Sequence, residues 1–277
     1  MTRESCGLGG LILLAIFIWA RDLNWMHAAS DTVPMLAGFF LFHWLGRPWV
    51  LQSQSHRQPM RADLMVASVI GFLAGIAMNL TVLLAFSWVL LLWAWLSVRV
   101  PRERHAHLRK LLLLPLLAFP WVTLDGAQLS WWFRLSGAWA AGQFFTGFDW
   151  NVTRHGTELL IEGNPIAVEA ACSGMNGLQS MLMAGTAMAL MILGNRNIFW
   201  WNIPLLMGVA WLANTLRIIA LAFASVSISP AFASGWLHEW SGWLVLMVMF
   251  GLCWLLFSWQ RSRLNLNPAP LCPARAL

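Results

Sequence analysis

Three short clusters place reactive side chains in almost wholly apolar surroundings: Ala171-Cys172-Ser173-Gly174, Asn214-Thr215-Leu216-Arg217 and His238-Glu239-Trp240-Ser241-Gly242. Ser173 is a suitable N-cap, so Cys172 stands at the start of a helix. The positive end of a helix dipole favours the thiolate, which is the nucleophilic form of cysteine. Arg217 interrupts an apolar run about six residues from its outer end, and a guanidinium in that setting is costly enough to point to function. His238 opens another apolar run and carries the side chain most used to shuttle protons. Thiolate, proton shuttle and cation are the parts of an acyl transfer: one attacks a carbonyl, one moves the proton, one offsets the oxyanion. Each also has a plainer reading, as a packed thiol, an arginine snorkelling to headgroups and a histidine of the interfacial belt. His43, in an apolar run, and His105 and His107, in a basic loop, are assigned no role.

These three side chains meet only if separate segments present them at one level. Of the 277 residues 59% are hydrophobic and only 10% are charged, against roughly a quarter charged in a soluble domain. Long continuous apolar runs exclude the alternating pattern of a barrel and leave helices as the spanning element. The fold class is therefore all-α, a polytopic transmembrane bundle of about eight helices. Candidate spans are 6–20, 33–51, 64–80, 82–98, 111–125, 175–193, 199–223 and 236–259. The run 64–98 is too long for one crossing, and Asn79 and Thr81 offer a polar turning point. The first span, with Arg3 and Glu4 before it and no clear cleavage site, reads as a retained helix rather than a signal peptide.

The net charge of +6 is concentrated in short loops, which is the cytoplasmic bias of membrane proteins and not a nucleic-acid footprint. Arg99, Arg102, Arg104, Arg109 and Lys110 form the densest basic loop. Placing it inside also puts His56, Arg57 and Arg61, then Arg196, then Arg261 and Arg263 on the cytoplasmic side, with both termini. Residues 126–172 become the one long outer loop. Within it, 131–145 carries Trp132, Trp139 and Phe144 at helical spacing, which fits either a helix lying in the interface or an apolar loop packed on the bundle. Two short extended runs flank Gly163-Asn164-Pro165 in 157–169, which suits a hairpin leading into Cys172. The same threading brings Cys172, Arg217 and His238 to the outer side. Residues 1–260 read as one integral membrane domain, and 261–277, with three prolines, as a disordered cytoplasmic tail. Cys6, Cys253 and Cys272 lie apart and form no CxxC or Cys/His spacing, so no disulfide framework, metal or cofactor is expected.

The motifs Cys172-Ser173-Gly174, Asn214-x-x-Arg217 and His238-x-x-x-Gly242, in that order and preceded by Glu169-Ala170-Ala171, resemble the exosortase/archaeosortase family over residues 155–258. The resemblance implies a membrane cysteine transpeptidase that cleaves C-terminal sorting signals of exported proteins. Such signals combine a Pro-Glu-Pro-like motif, a membrane helix and a basic tail. It further implies Cys172 as nucleophile, Arg217 as stabiliser of oxyanion or thiolate and His238 as proton shuttle. The enzyme would sit in the cell inner membrane with its site facing the exterior. The alternatives are a transporter or channel with Arg217, Asn214 and Glu169 along a polar pathway, and a membrane thiol oxidoreductase, which the lack of a second outer cysteine disfavours.

Overall fold

Apolar runs too long for one crossing have to break somewhere, and in the computed structural model they break where the sequence supplies a polar or imino residue. The structure describes residues 3–26, 29–49, 61–168, 175–194 and 196–264. Its elements are α1 (Arg3–Ala20), α2 (Ala29–Leu45), α3 (Ala62–Ala77), α4 (Thr81–Ser97), α5 (His105–Leu111), α6 (Leu113–Leu117), α7 (Trp121–Leu124) and α8 (Ala127–Thr146). Then come β1 (Val152–His155), β2 (Glu158–Ile161), β3 (Asn164–Ala167), α9 (Met175–Leu193), α10 (Ile198–Ser227), α11 (Pro230–Ser234) and α12 (Trp236–Arg263). Among these, Ile198–Ser227 and Trp240–Arg263 are long and apolar enough to cross a membrane. Shorter apolar helices run Gly7–Ala20, Met35–Leu45, Ala62–Ala77, Thr81–Ser97 and Gly177–Leu193. Their outward faces are oily: Leu13 on α1 is 68% exposed and Leu244 on α12 is 66% exposed. A water-soluble surface would not present such continuous stripes, whereas lipid is a fitting solvent for them. The protein is a helical membrane protein.

Residue contacts divide the chain into two units, Met1–Asp125 with Thr186–Phe199 and Gln260–Leu277, and Gly126–Gly185 with Trp200–Trp259. In the first, α3 and α4 form a tight pair. The run 64–98 breaks at Asn79, whose φ of 56° is the left-handed conformation that ends helices. Close approach of the two helices relies on missing side chains, since a Cβ on Gly75 would lie 2.8 Å from the Leu84 side chain. Ser68 Oγ donates to the Ser87 carbonyl at 2.7 Å across the same contact. The start of α4 is capped from a distance: Asp125 accepts from the Thr81 and Val82 N–H groups at 3.1 and 2.6 Å. Those are first-turn donors with no partner inside the helix.

The expected span 111–125 is not one helix. It breaks between α5, α6 and α7, because Pro115 and Pro120 lack the N–H groups that Leu111 and Leu116 would accept. The bare carbonyls near the second break are taken up by indoles. Trp121 Nε1 donates to the Leu116 carbonyl at 2.9 Å and Trp19 Nε1 to the Ala118 carbonyl at 3.1 Å. Trp19, Phe39, Trp88 and Phe119 pack edge to face or tilted around this point, with centroids 5.2–6.3 Å apart. Trp88 also donates to the Leu11 carbonyl at 2.8 Å. On the basic side Lys110 is buried and donates from Nζ to the Arg196 carbonyl at 2.6 Å, with the Phe199 ring centroid 5.4 Å away.

In the second unit α8 covers 127–146, and β1–β2–β3 form an antiparallel meander. Ala138, Ala141 and Phe145 of α8, Leu159 and Ile161 of β2, Val168, and Ile218 and Ala222 of α10 make one buried cluster. The sheet is thus clamped between α8 and α10. The opposite face of α8 leaves Trp132 and Trp139 more than half exposed, consistent with the interfacial reading of 131–145. A third strand, β1, joins the expected hairpin, and the turn falls one residue early. Both loop residues, Glu162 and Gly163, have positive φ, the geometry of a type I′ turn. Glu162 is held there because its carboxylate accepts the Asn151 N–H at 2.7 Å and its own N–H donates to the Asn151 carbonyl at 3.0 Å. The expected tail is helical as far as Arg263, and 265–277 lies outside the described residues.

Asp125→Ala strands the two first-turn N–H groups of α4 and is expected to cost about 1–2 kcal/mol of stability, read as a lower unfolding midpoint in detergent. Asp125→Asn should lose less, since it retains an acceptor. A second expectation concerns pH. Burial, then the nearby Lys110 and Arg104 charges, push the His107 imidazole below its ordinary range, against the opposing pull of a hydrogen bond with the Leu45 backbone. The unfolded chain then binds the proton more readily, so this term is full above about pH 6.5 and is lost as pH falls through that value. The midpoint should drop between pH 7.5 and 5.5, and His107→Gln should flatten the dependence.

Candidate active site

The site is built on α10 and α12, and its register comes from how α10 packs. On one side α10 meets α8, where a Cβ on Gly137 would stand 2.8 Å from Ile218 Cδ1, and Trp211 Nε1 donates to Ser136 Oγ at 2.9 Å. On another it meets α9, where a Cβ on Gly185 would fall 2.4 Å from Leu206 Cδ2. Leu206 is fully buried. Two glycines therefore let the backbones approach and fix the rotation of α10 about its axis. Asn214 and Thr215 turn into the protein at 6% and 4% exposure. The Thr215 hydroxyl satisfies itself by donating back to the Trp211 carbonyl at 3.0 Å.

With that rotation set, Arg217 faces the first turns of α12. Its Nε donates to Ser241 Oγ at 3.2 Å and its Nη2 to the His238 carbonyl at 3.0 Å. Nη2 also lies 3.4 Å from His238 Nε2. A guanidinium carries donors only, so the imidazole nitrogen is the acceptor in that contact. Ser241 Oγ in turn donates to the His238 carbonyl at 3.2 Å. Gly242 completes the cradle. A Cβ there would touch the guanidinium at 3.6 Å from Cζ, so the flat group rests against bare backbone. His238 and Gly242 are one turn apart on the same face of α12, which is why four-residue spacing brings both to Arg217. The helix α10 continues to Ser227, so Arg217 stands ten residues from its end rather than six. That is about 15 Å along the axis, and it deepens the need for acceptors.

Two of the three expected side chains are therefore in contact. Cys172, with Glu169 and Ser173, lies outside the described residues, three positions before Met175, the first residue of α9. Ser241 was missed by the sequence reading. Its position three residues after His238 places it on the histidine's face of a helix, and that spacing was the available signal.

A helical membrane protein with an arginine–histidine pair at the mouth of two long helices defines a class, and the chain's match to known families makes the class specific. The family model described as transmembrane exosortase (Exosortase_EpsH) matches residues 4–255. The chain belongs to that family, and the match reaches well beyond 155–258 to include the N-terminal helices. Neither the curated proteins nor the solved structures yield a match.

Gly185→Val should separate α9 from α10 by forcing Leu206 aside, at an expected cost of about 1–3 kcal/mol. Its measure is the unfolding midpoint of the purified variant, with Gly208→Val, where nothing lies within 4 Å of the added carbon, as the tolerated comparison.

Proposed function

We propose that this exosortase is a cysteine transpeptidase of the cell inner membrane that cleaves C-terminal sorting signals of exported proteins. Cys172 is the nucleophile, His238 the proton shuttle and Arg217 the oxyanion stabiliser, and the site faces the exterior. Family membership over residues 4–255 supports the reaction class. The observation that carries the residue roles is the Arg217–His238–Ser241 contact, which joins two motifs remote in sequence.

In this reading the imidazole takes the Cys172 proton as the sulfur bonds to the scissile carbonyl carbon. The carbonyl π electrons move to oxygen, and the guanidinium stabilises the resulting oxyanion. The contact of 3.4 Å between Arg217 and His238 Nε2 is long, so an oxyanion would compete for the Nη2 donor with the His238 ring and carbonyl. Collapse of the adduct breaks the C–N bond, and the amine leaves with the proton held by His238. The thioester that remains passes its acyl group to water or to an acceptor nucleophile at the cell surface. Substrates are proteins ending in a Pro-Glu-Pro-like motif, a membrane helix and a basic tail.

The test is a reporter ending in Pro-Glu-Pro, an apolar helix and an Arg-rich tail, produced with the enzyme in vesicles. Cys172→Ala should abolish processing while the protein still inserts. Arg217→Lys, which keeps charge but loses the fork, should slow it by about 10²–10³, and His238→Gln by about 10²–10⁴. Normal processing by Cys172→Ser would sink the proposal and favour a transporter, for which that change is neutral. Membrane-impermeant thiol reagents should label Cys172 from outside and Arg102→Cys only after permeabilisation.

A further inference from the structure

Strand β3, the last before Cys172 in sequence, has main-chain groups that pair with no neighbour among the described residues. β3 pairs with β2 so that Ile161 stands opposite Asn164 across a two-residue loop, with Leu159 opposite Ile166. In an antiparallel ladder hydrogen-bonded pairs alternate, so Asn164 and Ile166 turn their N–H and C=O toward β2. The Val168 N–H, donating to the Thr157 carbonyl at 3.1 Å, continues that series. Pro165 and Ala167 therefore turn theirs away from the sheet, whose strand order β1-β2-β3 gives β3 no second neighbour among the described residues. The open edge offers the Pro165 carbonyl and both the N–H and the C=O of Ala167. No backbone hydrogen bond reaches them among the described residues.

We propose that this edge is the substrate's docking strand, and that the extended segment around the scissile bond adds to it as a fourth strand. The inference rests on the proposed transpeptidase reading and says how that site holds its substrate. A scissile peptide has to leave helical pairing before sulfur can reach its carbonyl. At the edge of a bilayer the freed N–H and C=O groups lack water and need partners. The β3 edge supplies them, and alternate backbone groups of an added strand give such recognition its affinity. The template is rigid: Val168 is 4% exposed and shares the cluster of Leu159, Ile161 and Ile218. Its location also fits, since Cys172 follows Ala167 by five residues and Arg217 adjoins Ile218 in sequence. Pro165 confines pairing to a short stretch, because a proline on an edge blocks longer sheet-to-sheet association.

The geometry allows a selective test. Ala167→Pro deletes the outward N–H while leaving the pairs with β2, as Pro165 already does two residues earlier at the same register. With the same reporter, Ala167→Pro should be processed about tenfold more slowly, the worth of one hydrogen bond, through a raised KM. As a control away from this edge, Thr153→Val at an exposed position of β1 should stay within about twofold of the parent. A second measurement uses the unaltered enzyme and reporters carrying single amide-to-ester replacements around the cleavage point. Sensitivity should recur at every second position, because a strand shows alternate residues to its neighbour. Equal rates for Ala167→Pro and parent, or an ester profile without that period, would overturn the docking proposal even where Cys172→Ala abolishes processing. Unchanged processing by Cys172→Ala would instead remove the transpeptidase reading itself.

Discussion

An arginine set into an apolar helix has to be given oxygen, and the way Arg217 obtains it organises the second unit. Its partners are a main-chain carbonyl and a hydroxyl at the start of α12, so the demand of one charge sets the register between two long helices. A buried or lipid-facing cation without acceptors costs several kcal/mol, more than most single packing contacts contribute. Because the acceptor carbonyl belongs to His238 itself, the interaction that settles the charge also delivers the imidazole. Gly242 lines the same contact: a Cβ there would sit 3.6 Å from the guanidinium carbon, at ordinary van der Waals distance.

The same requirement, that polar groups find partners where water is scarce, explains a compositional oddity. The chain has 20 Trp and no Tyr. A belt role accounts for part of this, yet several indoles donate to main-chain carbonyls within the helices. Trp88 serves Leu11, Trp25 serves Trp19, Trp19 serves Ala118 and Trp121 serves Leu116. Tryptophan carries one donor and no acceptor, so it can satisfy a bare carbonyl without bringing a lone pair that would need its own partner. A tyrosine hydroxyl would bring one. The break at Pro120 is tolerated because such donors stand beside it.

What the sequence made legible follows from how local each signal is. The division of 64–98 was readable because Asn79 is a polar residue in a run of apolar ones, and it adopts the left-handed turn. The aromatic spacing of 131–145 allowed a helix or a packed loop, and α8 takes the first of these. The break-up of 111–125 was harder: two prolines announce it, but which carbonyls they expose depends on tertiary neighbours. Strand β1 carries Val152 as its lone aliphatic residue among Thr153, Arg154 and His155, so no alternation marks it, and only pairing with β2 makes it a strand. The turn moved from Gly163-Asn164-Pro165 to Glu162-Gly163 because a carboxylate contact with Asn151, eleven residues away, holds glutamate in a conformation it seldom adopts alone. In the site, Arg217 and His238 were conspicuous as polar residues in oil, whereas Ser241 looked like an ordinary helix residue until Arg217 was seen to need it.

The sheet and the arginine are mechanically one piece, and this bears on how a membrane enzyme could hold a flexible substrate. Ile218, next in sequence to Arg217, lies in the cluster that also contains Leu159, Ile161 and Val168. That cluster is closed on the far side by α8, where a Cβ on Gly137 would come within 2.8 Å of Ile218 Cδ1. Close-packed interiors transmit displacement rather than absorb it. A shift of β3 would therefore act on α10 at the residue adjoining the guanidinium, so in the proposed docking a peptide along β3 would be held in a fixed relation to Arg217, the proposed oxyanion stabiliser. Precision of that kind is worth a large factor in rate when the reacting atoms have to align within a few tenths of an ångström. The proposed docking also gives the small sheet a use that helices could not serve: helices satisfy their own main chains, whereas an edge strand has main-chain groups left to offer.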